Sequence, residues 1–335
     1  MIIARTPLRV SFFGGGTDFQ DYYKRGYGSV LSTSIDKYVY VMVNRRFEEK
    51  IRLNYRMTEL VDSVEEITHP TIKEALRLLD IQDSTEIGSI ADVHSNGTGL
   101  GSSSSFLIGV LNALHCYKGN RIDKERLAKD ACHIEINMLN EPIGKQDQYI
   151  ASYGGFRFIR FNKDDSVSVE DVNAPPEALS DLSSKLMFFY TGISRKSSQV
   201  LKGQKENIDK RLEVLDSMRS IAERMRHEIS RGRVEEFGEA LNESWQAKRS
   251  LAEGVSNDII DSYYKKAIDA GAVGGKVLGA GGGGFLMFYC DEEKQDSVKK
   301  ALSEMREVRF GFSRGGTEIV YNDEMEKCNN HMPKN

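Results

Sequence analysis

Apolar residues recur along this chain with two different periods. Residues 9–13 and 34–45 are rich in Val, Ile, Tyr and Phe and predict strands, while 71–79 carries apolar residues at helical spacing. A further strand is expected at 87–93, and a Gly/Ser cluster at 97–105 follows it. Two helices come next, over 103–117 and 124–139. Asp123 is placed to cap the second, whose Leu127, Ala131, Ile134 and Met138 fall on one face. Strand character resumes at 154–161. A loop holding Asn173, Pro175 and Pro176 then predicts a linker. Beyond it, 185–190 predicts a strand, and Ile208, Leu212, Leu215, Met218, Ile221, Met225 and Ile229 mark one long amphipathic helix. Helices over 234–251 and 258–270, strands at 283–289 and 318–321, and a helix near 297–305 complete the series. Strands and helices interleave without a regular βαβ rhythm, with no internal repeat, low-complexity tract or heptad run, which favours an α+β class.

A length of 335 residues suggests two domains, expected over 1–178 and 179–335, with one large domain as the alternative. With 39% hydrophobic and 29% charged residues the composition is that of an ordinary globular chain. The net charge is −4, from 46 basic and 50 acidic residues with the signs interleaved, so nothing points to nucleic acid. The longest apolar runs, at 38–43 and 285–290, are strand-sized and far short of a membrane span. Ile2, Ile3 and Ala4 before Arg5 make no secretory h-region, and the expected location is cytoplasmic. Cys116, Cys132, Cys290 and Cys328 are widely spaced, with no C-x-x-C pair and no histidine cluster at zinc spacing, so buried reduced thiols are expected. Oligomeric state is not legible.

Three glycine-rich segments carry the candidate chemistry: Phe13-Gly-Gly-Gly-Thr-Asp18, Gly97-Thr-Gly-Leu-Gly-Ser-Ser-Ser-Ser105 and Gly279-Ala-Gly-Gly-Gly-Gly284. Each marks a tight turn or a close approach to a ligand. The middle one lies between a predicted strand and a helix start, where backbone N–H groups and the helix dipole suit a phosphate. A serine-capped helix after a flexible loop is the alternative. It is not a Walker A loop, because the lysine of that motif is missing. The third segment contains a formal G-x-G-x-x-G, but the apolar run at 285–290 reads as a strand where a dinucleotide fold needs a helix. Two separated carboxylates, Glu135 and Asp147, would with the phosphate cradle form a set sufficient for phosphoryl transfer, which needs a metal near the phosphates and a group facing the acceptor hydroxyl. Ordinary carboxylates without a role are the alternative that spacing alone leaves open.

In this order the segments resemble the GHMP kinase superfamily. Pro7-Leu-Arg-Val-Ser-Phe-Phe-Gly-Gly-Gly-Thr-Asp18 is similar to its first motif, Gly97 to Ser105 to its phosphate-binding second, and Lys276-Val-Leu-Gly-Ala-Gly-Gly-Gly-Gly284 to its third. The second departs from the usual pattern, with Ser95-Asn96 where proline is common and Ser104 where alanine is. Gly144-Lys-Gln-Asp-Gln-Tyr149 and Tyr190-Thr-Gly-Ile-Ser-Arg-Lys-Ser-Ser198 resemble the D-glycero-D-manno-heptose 7-phosphate kinases, with the anomeric fucokinases as neighbours. The resemblance implies an α+β, two-domain GHMP kinase-like fold with the active site in the interdomain cleft. It implies an ATP- and Mg2+-dependent sugar kinase acting on the anomeric hydroxyl of a small-molecule sugar phosphate, taking the heptose 7-phosphate to the 1,7-bisphosphate. Asp147 would face the acceptor hydroxyl, with Arg9 beside it and the transferring phosphate. Gly97, Gly99, Leu100, Gly101, Ser102, Ser103 and Ser104 would cradle ATP. Ser103 and Glu135 would help hold magnesium, and Thr17 and Asp18 would contact the sugar, with Gly282 and Gly283 in the third motif's turn. Lys145, Arg195 and Lys196 are the basic candidates for the substrate's own phosphate, with a solvent-facing charge as the alternative for each. Alternatives are a kinase of a free sugar such as fucose, a kinase of a non-sugar alcohol such as mevalonate, and a non-catalytic sugar-sensing regulator.

Overall fold

Two sheets, one of eight strands and one of four, organise the described residues. The computed structural model describes residues 1–93, 97–194 and 197–323. In chain order its first half forms β1 (Ile2–Phe13), α1 (Gln20–Tyr23), β2 (Tyr27–Arg45), β3 (Ile51–Asn54), β4 (Thr58–Val61), α2 (Pro70–Leu78), β5 (Thr85–Ala91), α3 (Ser102–Tyr117), α4 (Lys124–Cys132), α5 (Gln146–Tyr153), β6 (Phe156–Asn162) and β7 (Val167–Asp171). The second half forms α6 (Pro176–Lys185), β8 (Leu186–Tyr190), α7 (Ser197–Glu206), α8 (Leu212–Ser230), α9 (Phe237–Arg249), α10 (Asp258–Asp269), β9 (Gly274–Val277), β10 (Phe285–Tyr289), α11 (Glu292–Ala301), β11 (Arg306–Glu307) and β12 (Glu318–Asn322).

The larger sheet runs β12-β1-β2-β5-β3-β4, with β6 and β7 as a branch. The branch exists because β2 is 19 residues long: its first part pairs with β6 and its second part with β5, while β1 runs along its other edge. Residues after 317 return to this sheet, where β12 pairs antiparallel with β1. Under the sheet lies α3, buried on nearly every side through Leu107, Ile108, Val110, Leu111, Ala113 and Leu114, as expected of a helix without a polar face.

The smaller sheet, β11-β8-β10-β9, lies between two cores. Along β8, Leu186 and Phe188 join the main core, whereas Met187 and Phe189 join a second one formed with Trp245, Ile260 and Val298. In β10 the same alternation separates Phe285, Met287 and Tyr289 from Leu286 and Phe288. Both faces are covered, so the sequence of these strands is continuously apolar although each still has a period of two. Phe237 on α9 links the sheets, with its ring centroid 5.2 Å from that of Phe12, 5.1 Å from Phe13 and 6.0 Å from Tyr289.

Some expected elements differ. The loop expected around Asn173 and Pro175 is present at 172–175 but ends there: Pro176 is the first residue of α6, a position where its missing N–H costs nothing. The single helix expected over 124–139 is α4 followed by a π-helical turn, His133–Met138. The helix expected near 297–305 starts earlier, at Glu292, where Glu292 and Glu293 suit the positive end of its dipole. Asp123 caps α4 as expected, its side chain accepting from the Arg126 N–H at 2.7 Å.

Candidate active site

A cleft of about 680 Å³ lies where the first, second and third glycine segments meet, lined by residues of both halves of the chain. The second and third segments touch through their backbones. A Cβ on Gly99 would stand 2.3 Å from the Leu278 carbonyl oxygen, so only glycine lets the two loops approach this closely. The Phe285 N–H donates to the Thr98 carbonyl at 3.1 Å, fixing β10 to the same loop.

Arg9 is the centre of the arrangement. It is carried by β1, is 5% exposed, and donates from Nε to Asp147 Oδ1 and from Nη2 to Oδ2, both at 2.7 Å. Its Nη1 donates to the Gly99 carbonyl. One guanidinium therefore holds the first strand, the phosphate-type loop and the Asp147 carboxylate in fixed relation, in the two-pronged geometry that arginine supplies. Asp147 sits in the first turn of α5.

The second carboxylate is enclosed. Glu135 is 3% exposed in the π-helical turn, where the Leu139 N–H bonds to the Ile134 carbonyl five residues back. Such a turn points a residue off the regular helix period and frequently marks a functional site. Its Oε1 accepts from Ser103 Oγ at 3.2 Å, and its Oε2 from Ser104 Oγ at 2.7 Å and Gln148 Nε2 at 2.5 Å. Burial pushes its carboxyl up to about 7, opposed by the Ser104 and Gln148 hydrogen bonds and reinforced by the Asp147 charge.

The third carboxylate, Asp18, is 3% exposed and faces the cleft. The Gly16 N–H donates to its Oδ1 at 2.9 Å, and the Gln146 N–H and Nε2 donate to its Oδ2 at 3.2 and 3.1 Å. Burial raises its pKa above the ordinary value, against these donors. Lys276, buried on β9, donates to the Ser11 and Phe12 carbonyls at 2.9 and 2.7 Å, and burial holds it well below the ordinary lysine range.

Models of the GHMP kinase N-terminal domain and C-terminal domain match residues 70–155 and 225–307. A D-glycero-alpha-D-manno-heptose 7-phosphate kinase of Campylobacter jejuni is 31% identical over 95% of this chain and 98% of its own length. The chain belongs to the GHMP kinase family. A galactokinase of Pyrococcus furiosus is 24% identical over 93% of this chain and 95% of its own. Among solved structures, a D-glycero-D-manno-heptose 1-phosphate kinase from Bacteroides thetaiotaomicron superposes with TM-score 0.79 at 24% identity, covering 96% of this chain and all of that one. A putative sugar kinase from Campylobacter jejuni gives 0.73 at 27% identity, covering 95% of this chain and 97% of that one.

As a GHMP kinase the protein is a phosphotransferase with an alcohol acceptor, and the family uses ATP. The cleft suits a nucleotide's phosphates. Gly97 to Ser104 line it at the N-terminus of α3, whose first-turn N–H groups have no partners within the helix. Among the described residues no group of three or more His, Cys, Asp or Glu could hold a metal ion. Glu135 and the Ser103 hydroxyl, bonded to each other at 3.2 Å beside the loop, could share a divalent cation with a bound nucleotide, the mixed coordination that magnesium favours.

The cleft gathers Arg9, Asp18, Gly97, Gly99, Leu100, Gly101, Ser102, Ser103, Ser104, Glu135, Asp147 and Gly283 from the residues expected at the site. Three others lie elsewhere. Thr17 is fully buried with its hydroxyl donating toward the Gly14 and Ser29 carbonyls at 2.8 and 2.9 Å, so it shapes the turn and does not reach the cleft. Lys145 donates to Asp165 Oδ1 at 2.7 Å and packs on the Tyr23 ring, away from the lining. Gly282 gives its N–H to the Val255 carbonyl at 2.7 Å behind the third segment. Arg195 and Lys196 lie outside the described residues. Sequence reasoning passed over Gln146, Gln148 and Lys276. The signal for the lysine was a lone charge inside a short strand, Gly274–Val277, that is otherwise glycine and valine, and for the glutamines two amides flanking an acid.

Proposed function

We propose that this GHMP kinase is an ATP- and magnesium-dependent sugar kinase that phosphorylates the anomeric hydroxyl of a sugar phosphate, with D-glycero-D-manno-heptose 7-phosphate as the acceptor. The observation that carries the reading is the two-pronged Arg9–Asp147 pair bonded to the phosphate loop through Gly99. It sets an acidic group and a delocalised cation side by side where acceptor and phosphate would meet. The 31% identity with the heptose 7-phosphate kinase over nearly both whole chains supports the choice of acceptor.

In this reading Asp147 orients the acceptor hydroxyl and takes its proton, and Arg9 holds that carboxylate and stabilises charge spreading over the phosphoryl oxygens. The backbone of 97–104 cradles the phosphates, and Ser103 with Glu135 helps hold the metal. Bound ATP would supply the phosphoryl group, and a magnesium ion held with Ser103 and Glu135 would neutralise the charge developing on it. Asp18 contacts the sugar. The cleft walls position the partners, which is most of the catalytic task for a loose phosphoryl transfer. The test is acceptor-dependent ADP formation across a panel of the heptose 7-phosphate, free fucose and galactose, and mevalonate. Highest kcat/KM for the heptose 7-phosphate is expected, and preference for a free sugar or for mevalonate would overturn the acceptor assignment.

A further inference from the structure

Asp165 stands in the turn between β6 and β7 with φ +75°, a left-handed conformation that few side chains other than Asn and Asp visit. Its carboxylate is fully employed there. Oδ1 accepts from Lys145 Nζ at 2.7 Å and from the Tyr23 hydroxyl at 2.6 Å. Oδ2 accepts from Lys24 Nζ at 3.0 Å and, more loosely, from Gln20 Nε2 at 3.4 Å. Four donors use the whole accepting capacity of a carboxylate.

Those donors belong to two segments that carry cleft carboxylates. Residues 20–24 follow Asp18, and Lys145 directly precedes Gln146 and Asp147 at the start of α5. The same two segments meet inside the cleft, where Asp18 Oδ2 accepts from the Gln146 N–H and Nε2. They meet so closely that a Cβ on Gly144 would stand 2.0 Å from that oxygen. Lys145 and Asp165 stand outside the described lining of the cleft, so the seam between the segments is tied once within it and once beyond it. Like charges strain this seam. The Asp147 charge adds to the burial that raises the Asp18 carboxyl, and Arg9 holds Asp147 from β1 without bonding Asp18.

The outer tie is anchored in the interior. The Tyr23 ring is 1% exposed, packs in a cluster with Tyr149, Ile150 and Phe161, and lies 5.1 Å from the Lys145 ammonium. The Lys145 side chain is itself only 18% exposed, which separates this network from the isolated surface ion pairs that contribute little.

We infer that Asp165 is a positioning residue: through Lys145 and residues 20–24 it clamps the start of α5 to the first glycine segment and so fixes the spacing of Asp18 and Asp147. The inference rests on the reading of the cleft as a sugar kinase site, in which one acceptor has to meet both carboxylates. It gives Lys145 a duty other than binding the substrate's own phosphate.

The test is steady-state kinetics of wild type, Asp165→Gly, Asp165→Asn, Lys145→Met and the Asp165→Gly/Lys145→Met double variant, with the heptose 7-phosphate and the free heptose. Glycine suits φ +75°, so Asp165→Gly removes the carboxylate and leaves the turn. It should lower kcat/KM for the sugar about tenfold, with the KM for ATP within about twofold. Lys145→Met should do the same, and the double variant should be no worse than the poorer single one, because both changes break one clamp. Asp165→Asn keeps an accepting oxygen and should retain part of the lost activity. Thermal melting checks that the variants fold. The loss should be equal for the phosphorylated and the free sugar. A loss confined to the phosphorylated sugar would make Lys145 a substrate ligand and overturn the clamp, as would losses that multiply in the double variant or fall equally on ATP. If the wild type turns over neither sugar, the kinase reading fails, and hydrogen exchange decides the clamp by itself. Asp165→Gly should speed amide exchange in 18–24 and 144–149 by about tenfold and leave α9 unchanged, and unaltered exchange in both segments would overturn it.

Discussion

Asp147 and Glu135 share the cleft but not their surroundings. Asp147 is held by an arginine at its rim, whereas Glu135 is enclosed by two serines and a glutamine with no cation among its hydrogen-bond partners. The first prediction concerns Asp147→Asn, which keeps the shape and removes the charge. Turnover should fall by about 10²- to 10⁴-fold while ATP affinity, read by calorimetry, stays within about twofold. The second prediction uses the burial of Glu135. Its folded-state value near 7 lies above the ordinary carboxylate range, so the unfolded chain releases this proton first and stability falls as pH rises between that range and 7. Glu135→Gln removes the ionisation, and its new amide has a ready acceptor in Gln148 Oε1, which has no partner. Without nucleotide, the variant should gain on wild type across that window, by on the order of 3 kcal/mol at pH 8, read as denaturant midpoints at pH 5 and 8. A difference that does not change with pH would mean that Glu135 is ionised throughout. At this scale the sequence was legible where a motif fixes a residue's place, as for Arg9, Glu135 and Asp147, which all line the cleft. It was misleading at Thr17 and Lys145, because a hydroxyl or ammonium next to a site can turn away from it, and composition carries no direction.

Helix α3 begins at a left-handed residue. Gly101 has φ 74° and an added Cβ would stand 3.0 Å from Arg9 Cγ and 3.2 Å from its Nε. Gly101→Ala should therefore strain the loop by about 1–2 kcal/mol and displace the guanidinium that holds Asp147. Gly119, with φ +74° and open space around it, is the matched control. Both alanine variants should lower the melting midpoint by a few degrees, but only Gly101→Ala should raise the KM for ATP and lower kcat. Equal kinetics for the two would remove the contact from the mechanism. Long regular elements were readable because their periods repeat: α8 buries Leu215, Met218, Ile221, Met225 and Ile229 as its spacing requires. Helix α5 was not expected, since its eight residues open with Gln-Asp-Gln and its apolar residues are contiguous. The π-helical turn was equally hidden, because one extra residue per turn leaves the apolar spacing nearly intact.

Across the whole molecule, the cleft is an apposition of loops whose positions depend on packing far from it. Phe237 against Phe12 and Phe13 joins the sheets, and β12 returns to β1, so the two halves of the chain are built into one another. Alternating apolar patterns located the strands but not this return, because a five-residue strand does not specify its partner. The three glycine segments were legible together only as an ordered set, and the fold brings them to one place. The central claim is that this place transfers phosphate to an anomeric oxygen. The most direct measurement is phosphorus NMR of the product formed by wild type from ATP, magnesium and the heptose 7-phosphate. A second phosphate ester whose phosphorus couples to the anomeric proton is expected. An ester at any other carbon, or inorganic phosphate with the sugar unchanged, would contradict it.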